Sequence, residues 1–222
     1  MIFDVPPYRL SGAVYGALLN HRSAMGVFAD EAYRPPYNAP PKAPVLYIKP
    51  RNTLAVQGSI IRLAPGTAEV EIGACLGLVI GRTACNIQES RALDHIAGYL
   101  IVADVSVVHA SYHRPSIRFR ARDGYCPLGP KVTARAEVAD PDALSIRTYV
   151  DEELVQEAST ADLIRSSSRL LSDVSEFMTL FPGDVLALGA AAPAPRVRAG
   201  QTVAIEIDGL GRLSNPVAES RS

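Results

Sequence analysis

Short apolar segments separated by polar turns and prolines account for much of the chain. Segments of this length, rich in β-branched residues, favour strands over helices. They cover residues 13–19, 45–48, 59–63, 70–80, 99–102, 154–157, 185–188 and 202–207. Residues 132–138 and 144–150 alternate between apolar and polar positions, and the turn residues Asp140, Pro141 and Asp142 predict a β-hairpin between them. The pattern is typical of an α+β domain that is predominantly β.

One long helix is predicted among these strands. Residues 161–180 carry an apolar stripe at helical spacing, and Thr160 before them is a suitable N-cap. Residues 90–96 have weaker helical character, and Gly98 is a natural stop for that segment.

Two proline-rich segments predict long loops. Residues 31–44 contain five prolines, which exclude a regular helix or a central strand, and residues 189–200 are rich in alanine and proline. Residues 1–12 are expected to form a flexible lead-in.

Composition and charge exclude several classes of protein. The 222 residues are 48% hydrophobic and 20% charged, enough to bury a single core. A net charge of −1 gives no general affinity for nucleic acid or for an anionic membrane. The three cysteines, Cys75, Cys85 and Cys126, lack the spacing of a zinc site and fit reduced thiols. With no secretory signal and no apolar run of bilayer-spanning length, the sequence predicts a cytoplasmic protein.

The candidate chemistry lies between residues 98 and 130. Asp104 ends an apolar strand, where a carboxylate either caps the following turn or points into a cleft as a ligand. Arg118, Arg120 and Arg122 fall at alternate positions and share one face if residues 117–122 are extended. That face is either exposed to solvent or part of a pocket for a substrate with several carboxylates.

Several motifs in this chain resemble one family. The strand that ends in Asp104 (98–106) is followed at 123–130 by Asp-Gly-Tyr-Cys-Pro-Leu-Gly-Pro. Further matches, in the same order, lie at residues 17–23, 39–42, 48–53, 175–180, 182–184 and 213–217. Together they resemble the fumarylacetoacetate hydrolase superfamily and, within it, the first half of the isomerase/decarboxylases of 4-hydroxyphenylacetate (homoprotocatechuate) degradation.

The resemblance implies a fold and a chemistry. The fold is a mixed β-roll with a few short helices, here a single domain over residues 13–218. The family binds Mg²⁺ or Mn²⁺ through a Glu-x-Glu pair and a later aspartate, and oxygen ligands suit such hard cations. The oxo-acid substrate chelates the metal, which stabilises the enolate formed in decarboxylation, C–C cleavage or a proton shift, while an acid/base group moves the proton.

Of the metal ligands that the resemblance implies, only Asp104 is present. Gly73 and Cys75 occupy the two glutamate positions. Glu69 and Glu71 form a Glu-x-Glu pair four residues early, a displacement of about 13 Å along a strand. We interpret them as ordinary exposed strand residues. The metal site is therefore expected to be vestigial, and we expect this chain to bind no metal itself.

The family's acid/base positions are also altered. The catalytic histidine and glutamate of many members align with Ala24 and Val27, and a lysine of the family aligns with Arg120. The threonine of a late turn aligns with Ala190. No catalytic residue can be assigned in this chain.

Five residues are candidates for binding the substrate: Arg118, Arg120, Arg122, Lys49 and His21. For Lys49 a solvated side chain, and for His21 a structural hydrogen bond, are alternatives of similar weight.

Three other residues near Asp104 in the sequence are interpreted as non-catalytic. His109 and His113 are expected to be a surface-loop pair, because no glutamate between them completes a zinc motif. Ser106 has no neighbours in the sequence that would form a catalytic triad.

The resemblance implies one subunit of an isomerase/decarboxylase. Its substrates would be 5-carboxymethyl-2-oxo-hex-3-ene-1,7-dioate and 2-hydroxyhepta-2,4-diene-1,7-dioate. Its partner would be a metal-bearing paralogous subunit or a second copy of this chain, with no nucleic acid and no membrane. A non-catalytic scaffold and a metal-free module that binds a dicarboxylate are the alternatives.

Overall fold

The computed structural model describes residues 3–5, 8–10, 12–109 and 117–220. The strands in chain order are β1 (Phe3–Val5), β2 (Tyr8–Leu10), β3 (Val14–Leu18), β4 (Val45–Lys49), β5 (Leu54–Ala55), β6 (Ile61–Arg62), β7 (Glu69–Ile80), β8 (Ile96–Val107), β9 (Cys126–Pro127), β10 (Thr133–Ala134), β11 (Ser145–Val150), β12 (Glu153–Ser159), β13 (Val185–Ala187), β14 (Arg196–Arg198), β15 (Thr202–Ile207) and β16 (Gly211–Ala218). The α-helices are α1 (Arg22–Ala32), α2 (Ile117–Arg120) and α3 (Ser167–Phe177), and short 3-10 helices cover Arg51–Thr53, Glu89–His95, Arg135–Glu137 and Thr160–Asp162. The predominantly β fold is confirmed.

Two sheets form the body of the molecule. The seven-stranded sheet has the order β10-β8-β7-β13-β3-β4, with β14 also paired to β7, and the five-stranded sheet has the order β12-β11-β15-β16-β6. Strands β7 and β8 are twelve residues each and pair antiparallel along almost their whole length. They are the longest strands, so their side chains determine what lies on either face of the larger sheet.

Alternation along β7 and β8 separates a core face from a second face. On β7 the even-numbered residues from Val70 to Ile80 pack into the main core, together with residues of the five-stranded sheet such as Ile205 and with Leu170 of α3. The odd-numbered residues point to the opposite face. Asp104 and Ser106 of β8 share that opposite face, because Asp104 lies directly across from Gly73 in the strand pairing.

The predicted hairpin between residues 132–138 and 144–150 is wrong. Strand β10 pairs instead with the start of β8, and β11 pairs with β12. The turn between β11 and β12 is formed by Asp151 and Glu152, with φ of 50° and 67°. Positive φ at both central residues is the geometry of a tight hairpin turn, but these two residues lack the glycine that usually marks it in a sequence.

The helices also differ from expectation. Helix α3 begins after Ser166, whose side chain accepts a hydrogen bond from the Arg169 backbone, so it is shorter than predicted. The expected cap, Thr160, starts a 3-10 turn instead, and its hydroxyl accepts a hydrogen bond from the Leu144 backbone. Helix α1 was not predicted at all. Its N-cap is His21, whose ring accepts a hydrogen bond from the Ser23 backbone, and histidine is an uncommon residue at that position.

The predicted loops and lead-in contain some regular structure. Residues 33–44 carry none, as expected, but β14 lies within the predicted loop 189–200, and β1 pairs with β2 in the lead-in. Of the helices in the described part of the chain, none is long and apolar enough to cross a membrane.

Candidate functional site

Asp104 lies at the centre of a buried group of charged and polar side chains. Lys49 Nζ is 2.9 Å from Asp104 Oδ1, and Arg120 Nη1 donates to Asp104 Oδ2. The Tyr47 hydroxyl adds a hydrogen bond to the same carboxylate, and the Arg120 guanidinium lies 4.8 Å from the centre of the Tyr47 ring. Tyr47 and Lys49 are two apart on β4, so both point to the same face of that strand.

These contacts determine the protonation states within the group. Burial alone would raise the pKa of Asp104, but the charges of Arg120 and Lys49 and the Tyr47 hydroxyl hold that pKa below its usual value. Burial, and then the charge of Asp104, raise the pKa of Tyr47 well above the usual value for a phenol. Asp104 is therefore a carboxylate, and Tyr47 stays protonated and donates to it.

Lys49 is held entirely inside the protein. Its ammonium donates to the backbone carbonyls of Val105 at 2.6 Å, Arg120 at 2.9 Å and Tyr125 at 2.9 Å. An ammonium has three N–H bonds, so the three carbonyls use all of them, and the contact with Asp104 is an ion pair between close charges. Its side chain is 1% exposed, so the alternative of a solvated lysine is wrong, and a role of Lys49 in substrate binding stays a prediction.

A cavity of about 360 Å³ opens beside this group. Helix α1, strands β7 and β8 and the loop after β13 enclose it. Its lining residues are Ala17, Leu18, Leu19, Ala24, Val27, Phe28, Glu31, Glu71, Gly73, Asp104, Ser106, His109, Arg120, Ala190, Ala191, Ala192, Pro193, Ala194 and Arg196. Ala24, Val27 and Ala190, the positions aligned with polar residues of the family, all face this cavity, so its acid/base side is apolar in this chain.

The residues around Asp104 do not fit a divalent metal. A Cβ atom added to Gly73 would lie 2.9 Å from the Cβ of Ala190, so the position has no room for a glutamate unless the loop moves. Burial, and then the charge of Asp104, raise the pKa of the Cys75 thiol, whereas cysteine binds metals as the thiolate. Lys49 and Arg120 already neutralise the carboxylate and would repel a cation. Within the described ranges, no three His, Cys, Asp or Glu side chains form a group that could hold a metal ion.

Glu69 and Glu71 are not the ordinary exposed strand residues that we expected. Their side chains are only 22% and 25% exposed, because Arg196 and Arg198 of β14 pair with them. Glu71 lines the cavity two residues before Gly73, on the same face of β7. Strand β14 was missed in the sequence, which is why the ion pairs of Glu71 were missed as well.

The three predicted arginines do not share one face. Residues 117–120 form the short helix α2 rather than a strand, and side chains two apart on a helix point in different directions. Arg120 contacts Asp104 and lines the cavity, whereas Arg118 and Arg122 line a separate surface depression together with Arg62. Their role in substrate binding stays a prediction, and the single strand face on which it rested is wrong.

The predicted histidines lie in different surroundings. His21 caps α1 and is buried outside the cavity lining, and burial lowers its pKa against an opposing effect of Asp162. His109 follows β8, is half-buried and lines the cavity, with Nδ1 2.8 Å from the Val107 carbonyl and 3.2 Å from Ser106 Oγ. Its ring stacks on Phe119 with centroids 4.9 Å apart. His113 lies outside the described residues.

Comparison with known proteins identifies the family. The model of the fumarylacetoacetate (FAA) hydrolase C-terminal domain matches residues 13–218, which is most of the chain. The chain belongs to this family. Among curated relatives, it is 41% identical over 208 residues to a 4-hydroxyphenylacetate degradation bifunctional isomerase/decarboxylase of Salmonella dublin, covering 94% of this chain and 47% of that protein. The chain thus spans about half the length of the bifunctional relatives that it matches.

Solved structures of FAA hydrolase family proteins have the same fold. A 5-carboxymethyl-2-hydroxymuconate delta-isomerase from Mycobacterium smegmatis superposes with a TM-score of 0.82 at 28% identity, covering 96% of this chain and 81% of that one. A maleylpyruvate hydrolase from Sphingobium, solved with manganese(II) and pyruvate, superposes with a TM-score of 0.77 at 26% identity, covering 94% of this chain and 71% of that one. Members of the family are isomerases, decarboxylases and hydrolases, and some bind a divalent metal with a small oxo-acid.

Proposed function

We propose that this chain is one subunit of the isomerase/decarboxylase of 4-hydroxyphenylacetate catabolism, with a degenerate metal site of its own. The substrates are 5-carboxymethyl-2-oxo-hex-3-ene-1,7-dioate and 2-hydroxyhepta-2,4-diene-1,7-dioate. The identity to the bifunctional relative of Salmonella dublin supports the pathway. The match to about half of that relative supports a two-domain or paired arrangement, in which the other half of the activity comes from a second domain or chain.

One observation supports the proposal that the metal site is degenerate. Asp104, the remaining metal-ligand position, forms ion pairs with Lys49 and Arg120 instead of facing two glutamates. The opposing positions are Gly73, which has no side chain, and Cys75, which stays a thiol. The lining of this cavity lacks the groups with which the family activates a metal-bound oxo-acid. The cavity can still hold an acidic substrate.

The residues of the cavity still support functions other than metal chemistry. Arg120 presents a fixed positive charge beside Asp104, and helix α1 and the loop of residues 190–194 form the apolar side of the cavity. His109 is oriented by the Val107 carbonyl, which accepts from Nδ1. The partner is a metal-bearing paralogous subunit, and a homodimer of this chain is the alternative.

Turnover of the purified chain tests the proposal. The decarboxylase and isomerase rates would be measured for this chain alone with added Mg²⁺ or Mn²⁺, and again after co-expression with a paralogous chain that has an intact Glu-x-Glu pair. We expect no turnover alone and activity in the mixture. Full turnover by the isolated chain, or no activity in either sample, would contradict the proposal.

A further inference from the structure

The buried group around Asp104 carries more positive than negative charge. Lys49, Arg120 and Asp104 are 0%, 9% and 6% exposed, and two of the three are cations. Charges removed from water need a nearby charge of opposite sign, so an excess of positive charge here favours an anion over a cation.

Arg120 is the cation of this group that lines the cavity. Lys49 is not among the residues that line the cavity, because its ammonium is turned toward three backbone carbonyls. Arg120 does line it, next to Asp104 and to the hydroxyl-bearing Ser106. A guanidinium presents several N–H donors in one plane, and it binds a carboxylate through charge and hydrogen bonds together.

The other charged residues of the cavity do not prevent an anion from binding. Glu71 is paired with Arg196, whose Nε lies 3.6 Å from the carboxylate, and Glu31 is an exposed residue of α1, screened by water. The wall formed by Ala24, Val27 and Phe28 is apolar. A cavity of about 360 Å³ with one apolar wall suits the carbon chain of a small dicarboxylic acid.

We propose that Arg120 takes the place of the family's metal ion, so that this cavity binds the carboxylate of a small oxo-acid directly, without any divalent cation. The inference rests on the proposed function for the class of substrate. It does not require this chain to turn over the substrate. The family's ligands are absent at Gly73 and Cys75, and the retained aspartate now positions a cationic side chain.

Calorimetric titration of the native chain with oxalate is the test. Oxalate carries the adjacent carbon–oxygen acceptors of a 2-oxo acid and binds divalent metals well, so it separates the two modes. One titration contains EDTA, and a second contains Mn²⁺ without EDTA. We expect oxalate to bind in EDTA, and Mn²⁺ not to raise its affinity for the protein. Binding that appears only with Mn²⁺, or no binding in either, would overturn the inference. Neither result depends on turnover with a partner, which tests the proposed function separately.

Substitutions of Arg120 then test whether this residue binds the oxalate. Arg120→Gln removes the charge, and we expect it to weaken oxalate binding by about 10–100-fold, the range for a charged hydrogen bond. Arg91→Gln makes the same change at an exposed arginine of the Glu89–His95 turn, which does not line the cavity, and should leave the affinity unchanged. Unchanged binding by a folded Arg120→Gln protein would overturn the assignment. If that variant does not fold, Arg120→Lys keeps the charge but loses the planar donors, and it must bind oxalate more weakly than the native chain.

Discussion

Replacing Lys49 by methionine should destabilise the protein strongly while changing its shape little. Methionine retains most of the apolar stem of lysine but removes the ammonium. In the native protein that ammonium donates to the carbonyls of Val105, Arg120 and Tyr125 and forms an ion pair with Asp104. The substitution therefore leaves three buried carbonyls without this donor and the carboxylate with one cation fewer.

The expected cost follows from these contacts. Removing one partner of a buried ion pair costs about 3–5 kcal/mol, and leaving a buried acceptor unsatisfied costs about 1–3 kcal/mol. The terms overlap, because relaxation or a water molecule that satisfies one carbonyl also affects the others. We therefore expect a loss of at least about 3 kcal/mol, from the total of about 5–15 kcal/mol that is typical of a folded domain.

Urea unfolding followed by circular dichroism measures this loss. With an m-value of about 3 kcal/mol per molar urea, the midpoint of Lys49→Met should fall by about 1 M or more. Lys131→Met is the matched control, because Lys131 is exposed, and its free energy of unfolding should change by less than about 0.5 kcal/mol. A Lys49→Met midpoint within about 0.3 M of the native protein would refute the reasoning, because it would mean that the buried ammonium contributes little.

Three further perturbations test other parts of the structure. Because the pKa of Asp104 is held below its usual value, its contribution to stability is present above about pH 4, the unfolded value, and is lost as the pH falls through the folded value. The stability difference between the native protein and Asp104→Asn, measured by urea unfolding, should therefore narrow in acid, and a constant difference would contradict the ion pairs. Asn20→Ala removes hydrogen bonds to Leu188 and to both backbone groups of Arg165, and it should cost about 2–3 kcal/mol, whereas an unchanged unfolding midpoint would argue against this contact. Gly16→Ala places a Cβ atom against the Tyr47 ring, and it should cost about 1–3 kcal/mol in the same assay, with a native-like midpoint as the contrary result.

The sequence contained enough information to locate the long strands and the central carboxylate. Strands β7 and β8 contain the apolar runs of residues 70–80 and 99–102, from which two buried strands were predicted. The antiparallel pairing brings Gly73 opposite Asp104. The strands depend on local pattern and Asp104 was located from the spacing of the motifs, so both could be predicted.

The remaining features depend on contacts between distant segments. Three strands separate β4 from β8 in the order of the larger sheet, and periodicity specifies neither that order nor a contact across it, so the contacts of Tyr47 and Lys49 with Asp104 were not predicted. Helix α2 is a single turn of four residues, too short to show a helical period, so Arg120 was expected on a strand face with Arg118. Glu71 forms an ion pair with Arg196, which lies on the three-residue strand β14. That strand falls within residues 189–200, which were predicted to form a loop, so the ion pair was not predicted.

Binding of Mn²⁺ to the isolated chain tests the degenerate site most directly. The electron paramagnetic resonance signal of free Mn²⁺ disappears in proportion to the ion that becomes bound, so the titration counts sites without any substrate or turnover. With Lys49 and Arg120 neutralising Asp104 and no glutamate at Gly73 or Cys75, the account predicts that micromolar Mn²⁺ remains free in the presence of excess protein. Stoichiometric loss of the signal, abolished by Asp104→Asn, would contradict it.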